Sequence, residues 1–92
     1  MITGYNFCKS EIDVRFKKLY GRFFVYILKS KRKYVYIGCS SSIYYRLIQH
    51  KGTKNFDRVE LFEFKNKNDS KITEKSFIKK YKPADNIQYL YR

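Results

Sequence analysis

Ninety-two residues are enough for one hydrophobic core and too few for two, so the chain is read as a single small domain. With 43% hydrophobic and 20% aromatic residues, that core can close without disulfides or a structural metal. The 21 Lys and Arg against 8 Asp and Glu give a net charge of +13, which repels itself in a compact state and points to a polyanionic partner, nucleic acid before a membrane surface.

The remaining bulk features narrow the setting. The longest apolar run, Phe23 to Leu28, is far too short to span a bilayer. No segment reads as a basic amphipathic helix with a continuous apolar stripe, so membrane binding is not expected. The N-terminus has no long apolar stretch of the secretory type. Cys8 and Cys39 have no metal-ligand spacing and read as two reduced thiols. A soluble, intracellular protein of a reducing compartment is expected. The richness in Lys, Tyr and Asn fits an AT-rich genome, such as that of a virus or mobile element.

In chain order, residues 1–21 read as an arm, either a short helix or an added strand, with Glu11 to Phe16 alternating polar and apolar. Residues 22–92 read as the domain proper. From Arg22 to Lys29 the β-branched and aromatic residues suit a buried strand. Ser30 to Lys33 is a polar turn, and Tyr34 to Gly38 is a second strand forming a hairpin with the first. Ser40, Ser41 and Ser42 offer hydroxyls to cap a helix. Ile43, Tyr44, Leu47 and Ile48 follow the spacing of its apolar face, with Gly52 as its stop. Arg58 to Phe64 is a third strand and Lys65 to Ser70 a polar loop. Ile72 to Tyr81 forms a second helix, with Phe77, Ile78 and Tyr81 on one face, and Pro83 ends it. The tail Ile87 to Tyr91 is apolar enough to pack back on the sheet. The order β-β-α-β-α predicts an α+β domain, a small three-stranded, mostly antiparallel sheet covered by helices.

Phe24-Val25-Tyr26 and Tyr36-Ile37-Gly38 are followed by Arg46, by His50 a turn later, and by a helix running from Glu74 to Pro83-Ala84-Asp85-Asn86. In these motifs the chain resembles the GIY-YIG nuclease family from about Arg22 to Asn86. The second signature tripeptide is intact, and Phe24 replaces the glycine of the first, at a backbone position rather than a chemical one. The resemblance implies a GIY-YIG-like fold, a metal-dependent endonuclease acting on DNA, Glu74 as the metal residue, and supporting roles for Gly38 and Asn86.

The chemistry of each residue type fits that implication. Tyr26 is one of ten tyrosines and Arg46 one of 21 basic residues, so either alone is ordinary; the ordered set singles them out. A phenol with a pKa near 10 serves as a base only where cations ease the loss of its proton. Tyr26 is the expected base, and Tyr36 positions the attacking water. A guanidinium at Arg46 can fork onto two phosphate oxygens, and His50, four residues on and so on the same helix face, can relay a proton or bind phosphate. Glu74 shares a face with apolar residues, where a carboxylate needs a partner. A single carboxylate suffices for Mg²⁺ or Mn²⁺, an ion that keeps most of its waters. Lys29, Lys31, Arg32 and Lys33 flank the hairpin turn and are expected to contact the DNA backbone without reading sequence. Ninety-two residues leave no room for a separate recognition module. The expectation stays open between action on DNA structure such as nicks, flaps or branches, a loose sequence preference, and targeting borrowed from a partner protein. Residues 1–21 are expected to pair with the sheet, make a homodimer or lie on DNA. The rival from another class is a nucleic-acid-binding module of the same fold that does not cut.

Overall fold

A computed structural model of the chain describes residues 3–12 and 22–84. In chain order these form β1 (Thr3–Cys8), a 3₁₀ turn (Lys9–Glu11), β2 (Phe23–Ser30), β3 (Lys33–Ser40), α1 (Ile43–Thr53), β4 (Arg58–Phe64) and α2 (Lys67–Tyr81). The class is α+β. Among the described residues the sheet has four strands rather than the expected three, in the order β1-β4-β2-β3 and antiparallel throughout.

The extra strand comes from the N-terminal arm, where Thr3–Cys8 pairs along β4 from Thr3↔Glu63 to Cys8↔Arg58. Its sequence, TGYNFC, lacks a clean apolar alternation. An edge strand can do without one, because backbone pairing to a single neighbour holds it.

β2 occupies the middle of the sheet and is buried on both faces because a helix lies on each side. Successive strand residues point to opposite faces. Phe24, Tyr26 and Leu28 pack with Ile43 and Leu47 of α1, while Val25 and Ile27 pack with Ile78 of α2. This explains the unbroken apolar run in β2, whose large side chains each stabilise the fold by about 1.5–3 kcal/mol when fully buried. Phe24 is fully buried in the cluster on the α1 side, so it acts as a packing residue.

β2 and β3 form a hairpin closed by two residues, Lys31 and Arg32, with Ser30 paired to Lys33. Lys31 has a positive φ of 57°, and its N–H donates to the Asp57 carboxylate at 3.2 Å. Toward the turn the pairing steps from Leu28↔Tyr36 to Lys29↔Tyr34, leaving Val35 as the extra residue of a β-bulge. The bulge separates two tyrosines that plain alternation would put on one face. Tyr34 stacks on Tyr81 of α2 (centroids 4.3 Å apart, 18° between planes), whereas Tyr36 joins the cluster under α1.

The buried stripe of α1 is Ile43, Leu47 and His50, and Ile48 is exposed, unlike the expected face. The spacing i, i+4, i+7 ends on the histidine. The helix runs past Gly52, whose backbone has no need of a left-handed turn, and stops at the extended Lys54. Ser42 takes the N-cap position without a side-chain cap; its N–H instead donates to Ser40 Oγ at 2.9 Å. α2 begins at Lys67, five residues before the expected start, because Asn66 caps it: Asn66 Oδ1 accepts from the Asp69 N–H at 2.8 Å. The segment expected to be a loop is therefore the first turn of the helix. At its other end Lys82 turns left-handed (φ 47°) and the buried Pro83 follows. Asn86 and the tail Ile87 to Tyr91 lie outside the described residues.

Cys8 and Cys39 are not joined in a disulfide. Among the described residues no helix is long and apolar enough to cross a membrane.

Candidate active site

Tyr26 of β2 sits opposite Gly38 of β3 in the antiparallel register. With no side chain at Gly38, the phenol lies against the β3 backbone. A Cβ built there would stand 2.5 Å from Tyr26 Oη, 2.6 Å from Cζ and 3.0 Å from Tyr36 Cε2. Those distances exclude a side chain while the phenol stays in place. From this seat Tyr26 Oη reaches His50 Nε2 at 2.8 Å, in a buried hydrogen bond. Tyr36, turned inward by the bulge, completes an aromatic trio: its ring centroid is 6.0 Å from that of Tyr26 and 4.9 Å from that of His50. Lys54, at the end of α1, holds its ammonium 4.6 Å from the Tyr36 ring centroid.

Tyr26 is 1% exposed. Burial pushes its phenol well above the usual tyrosine range, and the neighbouring Tyr36 adds to the rise. Arg46 pulls it down, while Glu74 and Cys39 push it up. The phenol therefore keeps its proton at neutral pH and is shielded from bulk water. This alters the role expected of it, since an enclosed phenol with a raised pKa is a poor direct base. Its hydrogen bond offers another route. With Nε2 unprotonated the phenol donates to His50, and with Nε2 protonated it accepts.

The charges that act on Tyr26 come from both faces of the sheet. Tyr26, Tyr36 and His50 lie on the α1 side, whereas Glu74 belongs to α2 on the other side. Residues of both helices line a cleft at the Cys39–Ser40 end of β3, an edge strand: Arg46 from α1, and Lys67, Ser70 and Lys71 from α2. The half-buried Glu74 carboxylate accepts hydrogen bonds from the thiol and the backbone N–H of Cys39. Its pKa is raised by desolvation against the opposing pull of these bonds and of Lys71 and Lys75. The Cys39 thiol is pushed up to about 11 by burial and then by Glu74. Beside this pair a cleft of about 320 Å³ opens between Arg46, Ser41, Lys67 and Lys71.

Arg46 is exposed at the rim of this cleft, whereas His50 is 6% exposed. The two do not share a surface as expected: the 40° offset of four residues at 3.6 per turn carries His50 under the helix and leaves Arg46 outside. Both still act on Tyr26, Arg46 through its charge and His50 through a hydrogen bond.

Lys31, Arg32 and Lys33 are exposed at the hairpin turn. Lys29 is drawn inward, with its ammonium 3.5 Å from Glu60 and 5.2 Å from the Tyr34 ring centroid. The sequence reading missed Cys39, Lys54, Lys67 and Lys71. Cys39 follows the intact Tyr36-Ile37-Gly38 tripeptide directly, a signal that was available. The lysines carry none, in a chain with this many.

Among the described residues no group of three or more His, Cys, Asp or Glu is arranged to hold a metal. A lone, half-buried carboxylate beside a polar cleft fits an ion that keeps its waters and takes further oxygens from substrate, as Mg²⁺ does; it does not fit one that needs a full protein cage. Comparison of the chain with family models, curated proteins and solved structures gave no match.

Proposed function

We propose that the chain is a metal-dependent endonuclease of the GIY-YIG kind, hydrolysing DNA phosphodiester bonds at the β3 edge. The observation that carries this reading is the convergence on Tyr26, which is hydrogen-bonded to His50 and feels the charges of Arg46 and Glu74 on a strongly basic protein.

Arg46, exposed at the cleft, forks onto two non-bridging oxygens of the scissile phosphate and offsets the charge that builds on them. Tyr36, the half-buried member of the trio, positions the attacking water. As the water oxygen bonds to phosphorus, its proton moves to Tyr26 Oη while the phenol's own proton passes to His50 Nε2. No free phenolate forms, which accords with the raised pKa of Tyr26. The bond from phosphorus to the 3′ oxygen breaks, and that oxygen takes a proton from solvent. Glu74 is the residue that would hold Mg²⁺ or Mn²⁺, and the bound ion supplies positive charge at the phosphate. The exposed Lys31, Arg32 and Lys33 serve the DNA backbone, whereas Lys29 is engaged by Glu60. That Cys8 and Cys39 are not joined in a disulfide accords with a reducing, intracellular compartment.

A non-cleaving nucleic-acid-binding module is the second reading, favoured by the enclosure of Tyr26. Nicking of supercoiled plasmid in Mg²⁺ or Mn²⁺ separates the two. Wild type is expected to nick, EDTA to stop it, and Arg46→Ala and Glu74→Gln each to slow it about 100-fold or more. Plasmid binding with no nicking by wild type decides for the module. Thermal melting of Glu74→Gln excludes unfolding as the cause of its loss. The folded carboxyl titrates above its unfolded value, so stability falls as pH rises from the unfolded pKa through the folded one. At neutral pH the ionised form is on the costly side, and the neutral amide should melt no lower than wild type.

A further inference from the structure

The hairpin end of the molecule holds a second, larger cleft, of about 980 Å³. Lys31, Arg32 and Lys33 of the β2–β3 turn line one wall, and Lys82, at the end of α2, lines the other. All four cations are exposed. No acidic side chain is among the described residues lining it. Asp57, the acid at the turn, accepts the Lys31 backbone N–H. Tyr34 and Tyr81 also line this cleft and stack on each other, fixing the hairpin to the helix end.

The backbone adds an independent observation. The non-glycine residues with positive φ among those described are Lys31 (57°) and Lys82 (47°), and both line this cleft. A left-handed position favours glycine, so a lysine there gives up stability at both turns. What the lysines bring is charge, directed from two elements into one space.

We infer that this cleft is a second anchor for the phosphate backbone of duplex DNA, acting together with the cleft at Arg46. The inference rests on the DNA reading proposed above and names the surface that holds the duplex beyond the scissile phosphate. The clefts lie toward opposite ends of β3, near Lys33 and Ser40, which a strand's rise separates by roughly 20 Å. That spacing corresponds to about six base pairs of duplex at 3.4 Å each. Because the tyrosines stack on each other, the cleft offers charge to a backbone rather than an open ring face to single-stranded bases. A stiff duplex can engage both anchors at once, making the second contact intramolecular.

The test is fluorescence anisotropy of a labelled 16-base-pair DNA duplex across a salt series, in EDTA so that no cleavage enters. The variant Lys31→Gly/Arg32→Ser/Lys33→Ser/Lys82→Gly is compared with a charge-matched control, Lys51→Ser/Lys65→Ser/Lys75→Ser/Lys79→Ser, on other surfaces. The cleft variant is expected to bind at least tenfold more weakly and to lose about three to four from the slope of log affinity against log salt. The control is expected to lose distinctly less. The double variant Lys31→Gly/Lys82→Gly relieves both left-handed lysines, so it should melt no lower than wild type and still lose about two from the slope. Equal losses in cleft variant and control overturn the inference, as does an unchanged slope in the double variant. Wild type that binds DNA but never cuts it overturns the proposed reaction and leaves this test intact; wild type that binds no DNA overturns both.

Discussion

Gly38 and Tyr26 depend on each other. The phenol can cross the β3 backbone to His50 only because the facing residue has no Cβ; one built there would meet Oη at 2.5 Å. Gly38→Ala must displace a ring that is 1% exposed, at a cost of about 1–3 kcal/mol for an overpacked core. For a domain of this size that lowers Tm by at least about 4 °C. Nicking should fall with it, because the Tyr26–His50 bond cannot survive the shift. Gly52→Ala is the control in both assays: nothing lies within 4 Å of its added carbon, and alanine is the better helix former. The tripeptide that drew attention to Gly38 was legible in the sequence, but its reason was not. A strand register had to bring residues 26 and 38 face to face before the missing side chain mattered. The same distinction applies to Tyr26, whose presence was legible and whose pKa was not, because desolvation depends on everything packed around it.

At the scale of elements, β2, β4 and the end of α2 announced themselves through β-branched runs, alternation and proline. The start of α2 was less evident. Lys65 to Ser70 is so polar that it reads as a loop, yet Asn66 and Asp69 hold the spacing of a helix cap. Asn66→Ala should therefore destabilise the domain by about 1 kcal/mol in urea unfolding, with no direct effect on nucleic-acid binding. A wild-type midpoint in that variant would mean that the cap contributes nothing. The bulge at Val35 had no local signal, because Tyr34-Val35-Tyr36 is an acceptable regular strand. Only the competition of two helices for the two tyrosines, Tyr81 on one face and His50 on the other, gives the extra residue its purpose. β1 was equally hidden, since an edge strand is held by the neighbour's backbone and needs little apolar pattern of its own.

Across the whole molecule, +13 on 92 residues is a field as well as a set of contacts. A polyanion that binds the folded chain should stabilise it by mass action. A short DNA duplex in EDTA, at about 100 times its Kd, is expected to add about 2.7 kcal/mol, seen as a rise of several degrees in Tm. At 1 M salt, where the Debye length is about 3 Å, the increment should largely vanish. A rise in Tm that survives such salt would show that apolar contacts, rather than charge, hold the ligand. The described charges are not spread evenly: Arg46, Lys67 and Lys71 border one cleft, and Lys31, Arg32, Lys33 and Lys82 border the other.

The sequence by itself determined the composition of the site, the basic character of the molecule and the α+β order of its main elements. These follow from residue identity and local periodicity, which need no knowledge of distant neighbours. Tertiary structure decided what those residues can do. It set α1 and α2 on opposite faces and made β3 an edge, so that one phenol is hydrogen-bonded by His50 and feels the charge of Glu74 from the other helix. It enclosed Tyr26, left Arg46 at the rim, and gathered lysines from the hairpin turn and the end of α2 into a single cleft. The physical reason is common to all three: burial, register and field strength are sums over residues far apart in the chain, and only the folded arrangement carries them out.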